Sequence, residues 1–164
     1  MKIATAAYPL DWLETWDDYA AKQRAWVAQA AQAGADVLVF PEYGAMELAA
    51  QAGAQAAGDL HGSIQAVAAR MAQANELHAA LAREFGVYIL SGSGPVLMGE
   101  TVVNRAHFFA PGGGMAHQDK QIMTRFERED WGISGGGPLR VFDTPLGKIA
   151  VLICYDSEFP LLAR

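Results

Sequence analysis

The sequence predicts one α/β domain of the α+β type, in which strands and helices alternate at first and strands then follow one another. Three observations carry this expectation. The 164 residues are 52 % hydrophobic and 18 % charged, which suits one packed core and excludes a disordered or fibrous chain. Up to Gly86, short apolar runs alternate with segments of helical periodicity. Beyond it, extended runs are separated by turns rich in glycine and proline.

Each element follows from local chemistry. Lys2 to Tyr8 is a short, partly alternating run stopped by Pro9, and reads as a strand. From Asp17 the residues Tyr19, Ala20, Trp26, Val27, Ala30 and Ala31 recur at helical spacing, and Gly34 supplies the stop. Asp36 to Phe40 is a continuous apolar run, the pattern of a strand covered on both faces, and Pro41 ends it so that Glu42 stands just past its tip. Asp59 is the N-cap of a long helical region reaching Gly86, with a division expected at Asn75. Val87 to Ser91 is the next strand, followed by a turn over Gly92, Gly94 and Pro95. Thr101 to Ala110 and Met115 to Lys120 flank Pro111-Gly112-Gly113-Gly114, a hairpin signal. Leu139 to Thr144 and Lys148 to Ile153 flank Pro145-Leu146-Gly147 in the same way, and the second run, expected to be a buried central strand, leads into Cys154. Pro160 is placed to open a further helix.

Composition removes several classes of function. Twelve Lys and Arg against eighteen Asp and Glu leave a net charge of −6, and no basic run exists, so neither nucleic acid nor an anionic membrane surface is an expected partner. No apolar run reaches the roughly 18 residues of a membrane span, and the N-terminus lacks a signal-peptide pattern. The expectation is a cytoplasmic protein acting on a small molecule. One cysteine allows no internal disulfide, and His61, His78, His107 and His117 fall in no metal-ligand spacing, so no metal is expected.

Three places could carry chemistry. Cys154 stands at a strand-to-helix turn, where a helix N-terminus would lower the thiol pKa and favour the thiolate, although a lone cysteine is more often a small core residue. Glu42 and Lys120 also stand at strand ends, and each alone is most simply a solvated charge. Together they change the reading, because acyl transfer to a thiol needs a base to take and return a proton and a fixed cation to hold the oxyanion.

Phe40-Pro41-Glu42, Asp119-Lys120 with Glu127 seven residues on, and Cys154-Tyr155-Asp156 occur in this order, with 78 and 34 residues separating Glu42, Lys120 and Cys154. This pattern resembles the nitrilase superfamily of carbon-nitrogen hydrolases, over essentially the whole chain. The resemblance implies a four-layer αββα sandwich, with Glu42 as general base and acid, Lys120 as oxyanion stabiliser and Cys154 as nucleophile. It makes Glu127 the second family glutamate, with Glu129 as the fallback, and the Tyr155 backbone N–H the second oxyanion donor. It implies cleavage of a small amide or nitrile through a thioester, without a cofactor. Cys154-Tyr155-Asp156 is similar to the amidase and carbamoyl-amide hydrolase branches, whereas TRFEREDWG after Lys120 looks more like nitrilases; the residues at the nucleophile favour amidase. Family members continue well beyond the nucleophile, so residues 1–164 are expected to form the N-terminal part of a carbon-nitrogen hydrolase domain that is incomplete at its C-terminus. At full length the resemblance implies a homo-oligomer.

Two rival functions come from other classes. A cysteine peptidase needs a histidine partner, yet none follows Cys154, and Glu42 and Lys120 would be idle. A non-catalytic remnant domain is the other alternative, since truncation could leave the triad without its pocket.

Overall fold

The computed structural model describes all of residues 1–164. The chain forms β1 (Ile3–Thr5), α1 (Trp16–Gln32), β2 (Val37–Val39), a 3-10 helix (Gly44–Ala52), α2 (Ala54–Gly58), α3 (Leu60–Ala68), α4 (Met71–Phe85) and β3 (Tyr88–Leu90). Then come β4 (Gly94–Met98), β5 (Thr101–Phe109), β6 (Met115–Asp119), α5 (Arg125–Glu129), β7 (Ile133–Ser134), β8 (Val141–Thr144), β9 (Gly147–Ala150) and a second 3-10 helix (Cys154–Glu158). The alternation of strand and helix followed by a run of strands is the α/β pattern expected.

Seven strands make one mixed sheet in the order β1-β2-β3-β5-β4, with β6 and β7 also paired to β5. β1, β2 and β3 are parallel, while β5 is antiparallel to β3, β4 and β6. The long strand β5 organises the sheet because successive side chains face opposite ways. Phe109 joins Val27, Leu38, Leu81, Ala82 and Ile89 in the main core between sheet and helices. Ala106 points the other way and packs on Val151 and Ile153, and Phe108 stacks on Phe142 of β8 with centroids 5.4 Å apart. The layers are therefore helices, a seven-stranded sheet, and a two-stranded β8–β9 sheet. A second helical layer does not occur within these residues.

Several local expectations are corrected. The helical region divides at Ala69-Arg70, not at Asn75, because Arg70 reaches back to the first 3-10 helix and bonds Gln51 Oε1 at 3.0 Å and the Gln51 carbonyl at 3.2 Å. The Asp59 cap is present and accepts from the Gly62 N–H at 2.6 Å. Gly94 and Pro95 belong to a strand, not a turn: β4 pairs only with β5, so the missing N–H of Pro95 faces the open edge. The hairpin around Gly112–Gly114 forms as expected, with register Arg105↔Asp119 to Phe109↔Met115. The second hairpin also forms, but β9 ends at Ala150 and pairs only with β8, leaving Lys148 and Ala150 exposed. It is not a buried central strand, because no other strand lies beside it. No helix opens at Pro160; the backbone after Cys154 makes one 3-10 helix and then a turn.

Two close approaches set the strand ends around the site. A Cβ on Gly92 would lie 2.8 Å from the Gly44 Cα, so the loops after β2 and β3 touch backbone to backbone. A Cβ on Gly136 would lie 2.0 Å from the Asp119 Cβ. That contact lets the Gly136 N–H bond the Lys120 carbonyl at 2.9 Å.

Candidate active site

Pro41 carries the chain out of β2, and Glu42 and Tyr43 follow at the tip. The Tyr43 backbone is left-handed, with φ +55°, and its N–H bonds Ser93 Oγ at 2.9 Å across the loop contact. Lys120 leaves β6 with its N–H bonded to the Asn104 carbonyl at 2.9 Å. Cys154 follows the buried residues Val151 and Ile153, which hold this segment against β5. Its φ is +48°, and Tyr43 and Cys154 are the only non-glycine residues of the chain with positive φ. Left-handed backbone costs an L-residue about 1–2 kcal/mol, and such strain concentrates at functional sites.

The cation is the centre of the arrangement. Lys120, which has no exposed side-chain surface, donates to Glu42 Oε1 and to Glu127 Oε2, each at 2.7 Å. An ammonium has three protons, so one remains after these two bonds. Burial by itself would lower the Lys120 pKa, but the bonds and charges of Glu127 and Glu42 outweigh it and the ammonium is held above its ordinary value. Burial likewise opposes ionisation of Glu127, yet Lys120, Tyr43 and Thr124 together hold that carboxyl below its ordinary value. Tyr43 donates its phenol to Glu127 Oε1 at 2.6 Å. Burial, the bond to Glu127 and the charges of both glutamates push that phenol far up, so it acts as a donor.

Glu127 is fixed by local sequence as well. Thr124 caps α5, and its N–H and Oγ1 donate to Glu127 Oε2 at 2.9 and 2.8 Å in a capping box. The Thr-x-x-Glu spacing is legible in the sequence, although α5 was not expected there. Glu129, the fallback, stays exposed and pairs with Arg125 and Arg128 instead.

Cys154 and Glu42 line one cavity of about 210 Å³ together with Ser91, Ser93 and Ala106. The thiol pKa is raised, by burial first and then by the hydrogen bond and charge of Glu42, with Lys120 and the Tyr155 N–H working the other way. This corrects the expected lowering: the helix after Cys154 is a single 3-10 segment of 5 residues, too short for a useful dipole. The thiol therefore rests protonated and needs a base.

Three residues escaped sequence reading. Asp156 is fully buried and accepts from the N–H groups of Ile122 at 2.9 Å, Gln121 at 3.1 Å and Ile153 at 3.2 Å, tying the Cys154 turn to the Lys120 turn. Tyr43 and Asn104 hold the two glutamates, with Asn104 Nδ2 donating to Glu42 Oε1 at 3.1 Å. Only the Cys154-Tyr155-Asp156 motif hinted at one of them. No cluster of three or more His, Cys, Asp or Glu side chains is arranged to hold a metal ion, and no helix is long and apolar enough to cross a membrane.

A cysteine at a left-handed turn, a buried lysine and two glutamates thus lie at the strand ends of an α/β sheet. The carbon-nitrogen hydrolase family model matches residues 2–164, and the chain belongs to that family, the nitrilase superfamily. A probable hydrolase of Bacillus subtilis (strain 168), YhcX, is 33 % identical over 164 residues, covering 100 % of this chain and 31 % of that protein. The bifunctional nitrilase/nitrile hydratase NIT4 of Oryza sativa subsp. japonica is 38 % identical over 87 residues, 51 % of this chain and 23 % of its own. Among solved structures, an amidase from Nesterenkonia sp. aligns with TM-score 0.65 and 25 % identity over 99 % of this chain and 58 % of that one. A carbon-nitrogen hydrolase from Helicobacter pylori G27 aligns with TM-score 0.74 and 17 % identity over 99 % and 53 %. The chain thus spans less than a third of the Bacillus relative and little more than half of the solved chains.

Proposed function

We propose that this chain carries the catalytic centre of a thiol hydrolase that cleaves the carbon-nitrogen bond of a small amide. The observation that supports this best is Lys120, fully buried and held at 2.7 Å by both Glu42 and Glu127, next to a protonated thiol that shares a cavity with Glu42. In this reading Glu42 takes the Cys154 proton as sulfur bonds to the amide carbon. The third Lys120 proton and the Tyr155 N–H hold the oxyanion. Glu42 returns the proton to the nitrogen, the C–N bond breaks and ammonia or an amine departs. A water then gives its proton to Glu42 as its oxygen bonds to the thioester carbon, the C–S bond breaks, and the sulfur recovers a proton. No step calls for a cofactor.

A nitrile substrate is the second reading, favoured by nitrilase relatives such as the rice protein. The same thiol would add to a nitrile carbon, and two waters would complete hydrolysis to acid and ammonia. In the Nesterenkonia amidase, butyramide is bound in a cysteine variant and acrylamide adds at the active-site cysteine in a glutamate variant, which suggests short aliphatic amides as probes. The test is butyramide hydrolysis by the full chain, with acid-quenched intact mass. A butyryl adduct on Cys154 that Cys154→Ala abolishes is the expected result. Turnover undiminished in Cys154→Ala overturns the reading, and an adduct from butyronitrile alone moves it to the nitrilase branch.

A further inference from the structure

We infer that Asn104 is a positioning residue that selects which oxygen of Glu42 carries the proton. The inference rests on the amidase reading above and adds a residue to it. Asn104 lies in β5 with no exposed surface. Its carbonyl accepts the Lys120 N–H at 2.9 Å, a backbone bond that any side chain at this position would permit. Its side chain is the specific part: Nδ2 donates at 3.1 Å to Glu42 Oε1, the same oxygen that receives the Lys120 Nζ at 2.7 Å.

A carboxylate oxygen has two lone-pair directions. Two donors occupy those of Oε1, and neither reaches Oε2. The last torsion of a glutamate is broad and nearly two-fold, so one flexible lysine bond would leave the carboxylate free to turn. The second bond, from a rigid strand, stops that rotation and leaves Oε2 open for the thiol with which Glu42 shares its cavity. Oε2 then receives the S–H proton as the S–C bond forms and hands the same proton to the nitrogen as the C–N bond breaks.

The other end of the side chain makes no bond within the chain that favours the fold. Asn104 Oδ1 is buried without a hydrogen-bond partner, which costs about 1–3 kcal/mol. Leucine has a similar volume and would avoid that cost. What leucine lacks is the N–H aimed at Glu42.

The test compares leaving groups in the full chain, for Asn104→Leu and for the near-isosteric Asn104→Asp. An amide nitrogen must be protonated to leave, whereas p-nitrophenolate departs without a proton. Single-turnover acylation by butyramide, which uses Glu42 as base and then as acid, should fall about 100-fold in both variants, the scale of one general acid-base contribution, while the burst from p-nitrophenyl butyrate, which uses Glu42 only as base for the thiol, should fall at least about tenfold less. Equal losses on both substrates, as fewer folded molecules would produce, overturn the inference, as does an unchanged amide rate. If Asn104→Leu does not fold, the Asn104→Asp ratio decides. A parent chain that acylates with neither substrate overturns the proposed function instead.

Discussion

Replacing Lys120 by methionine removes the one cation between two carboxylates while nearly preserving volume. Nζ lies 2.7 Å from each of Glu42 Oε1 and Glu127 Oε2, so those oxygens are at most about twice that, ~5.4 Å, apart. Their repulsion at an effective dielectric of ~20 is then about 3 kcal/mol. Stranding a buried charge by deleting its partner costs about 3–5 kcal/mol, which agrees. Side-chain exposure is 0 % for Lys120, 4 % for Glu127 and 20 % for Glu42, so water screens the pair little. Urea unfolding followed by tryptophan fluorescence at pH 7.5 should show a loss of about 3 kcal/mol or more. The loss should also depend on pH with a definite sign. In the parent chain Glu127 is held below its ordinary value, so its contribution is present at neutral pH and is lost as pH falls through the folded pKa. In Lys120→Met, burial and the Glu42 charge raise the same carboxyl, so the variant gains stability as pH falls. The difference between the two proteins should therefore shrink markedly between pH 7.5 and 4.5. A difference independent of pH, or one below about 1 kcal/mol, as for the exposed Lys148–Asp143 pair, would refute the electrostatic argument.

At Cys154 the left-handed backbone, φ +48°, predicts an inverted ranking of two inactive variants. Cys154→Gly should be at least as stable as Cys154→Ala, against the usual glycine penalty of about 0.5–1 kcal/mol; a glycine variant that melts well below the alanine one would show that the turn carries no strain. Burial pushes His78 down to about 4, opposed only by its bond to the Ala74 carbonyl, and burial with the charges of Arg105 and His117 pushes His107 down to about 4. Folded pKa values below the unfolded ones mean stability present above about pH 6.5 and lost as pH falls toward 4, by up to about 3 kcal/mol for each histidine. Urea titrations across that range should show the slope, and His78→Gln should flatten it; an unchanged slope in that variant would exclude its share.

Much of the fold is legible because it is local. Gly112–Gly114 and Gly147 set two hairpins, Asp59 caps a helix through its own Gly62 N–H, and Pro41 ends β2 wherever the rest of the chain lies. Glu42, Lys120, Cys154 and Glu127 stand out in the sequence through motifs, which record chemistry without recording position. Their juxtaposition spans separations of 78 residues from Glu42 to Lys120 and 62 from Glu42 to Asn104, and no window of sequence reaches so far. The tertiary structure alone decided that Pro95 lies on an open sheet edge, that the helix breaks where Arg70 meets Gln51, and that β9 has a single neighbour. It also decided the state of the thiol. A local view offered a helix end that would lower the Cys154 pKa, whereas burial and the Glu42 carboxylate raise it. Periodicity and caps depend on neighbours in the chain, while ionisation depends on neighbours in space, and only folding brings Glu42, Asn104, Lys120 and Cys154 to one end of the sheet.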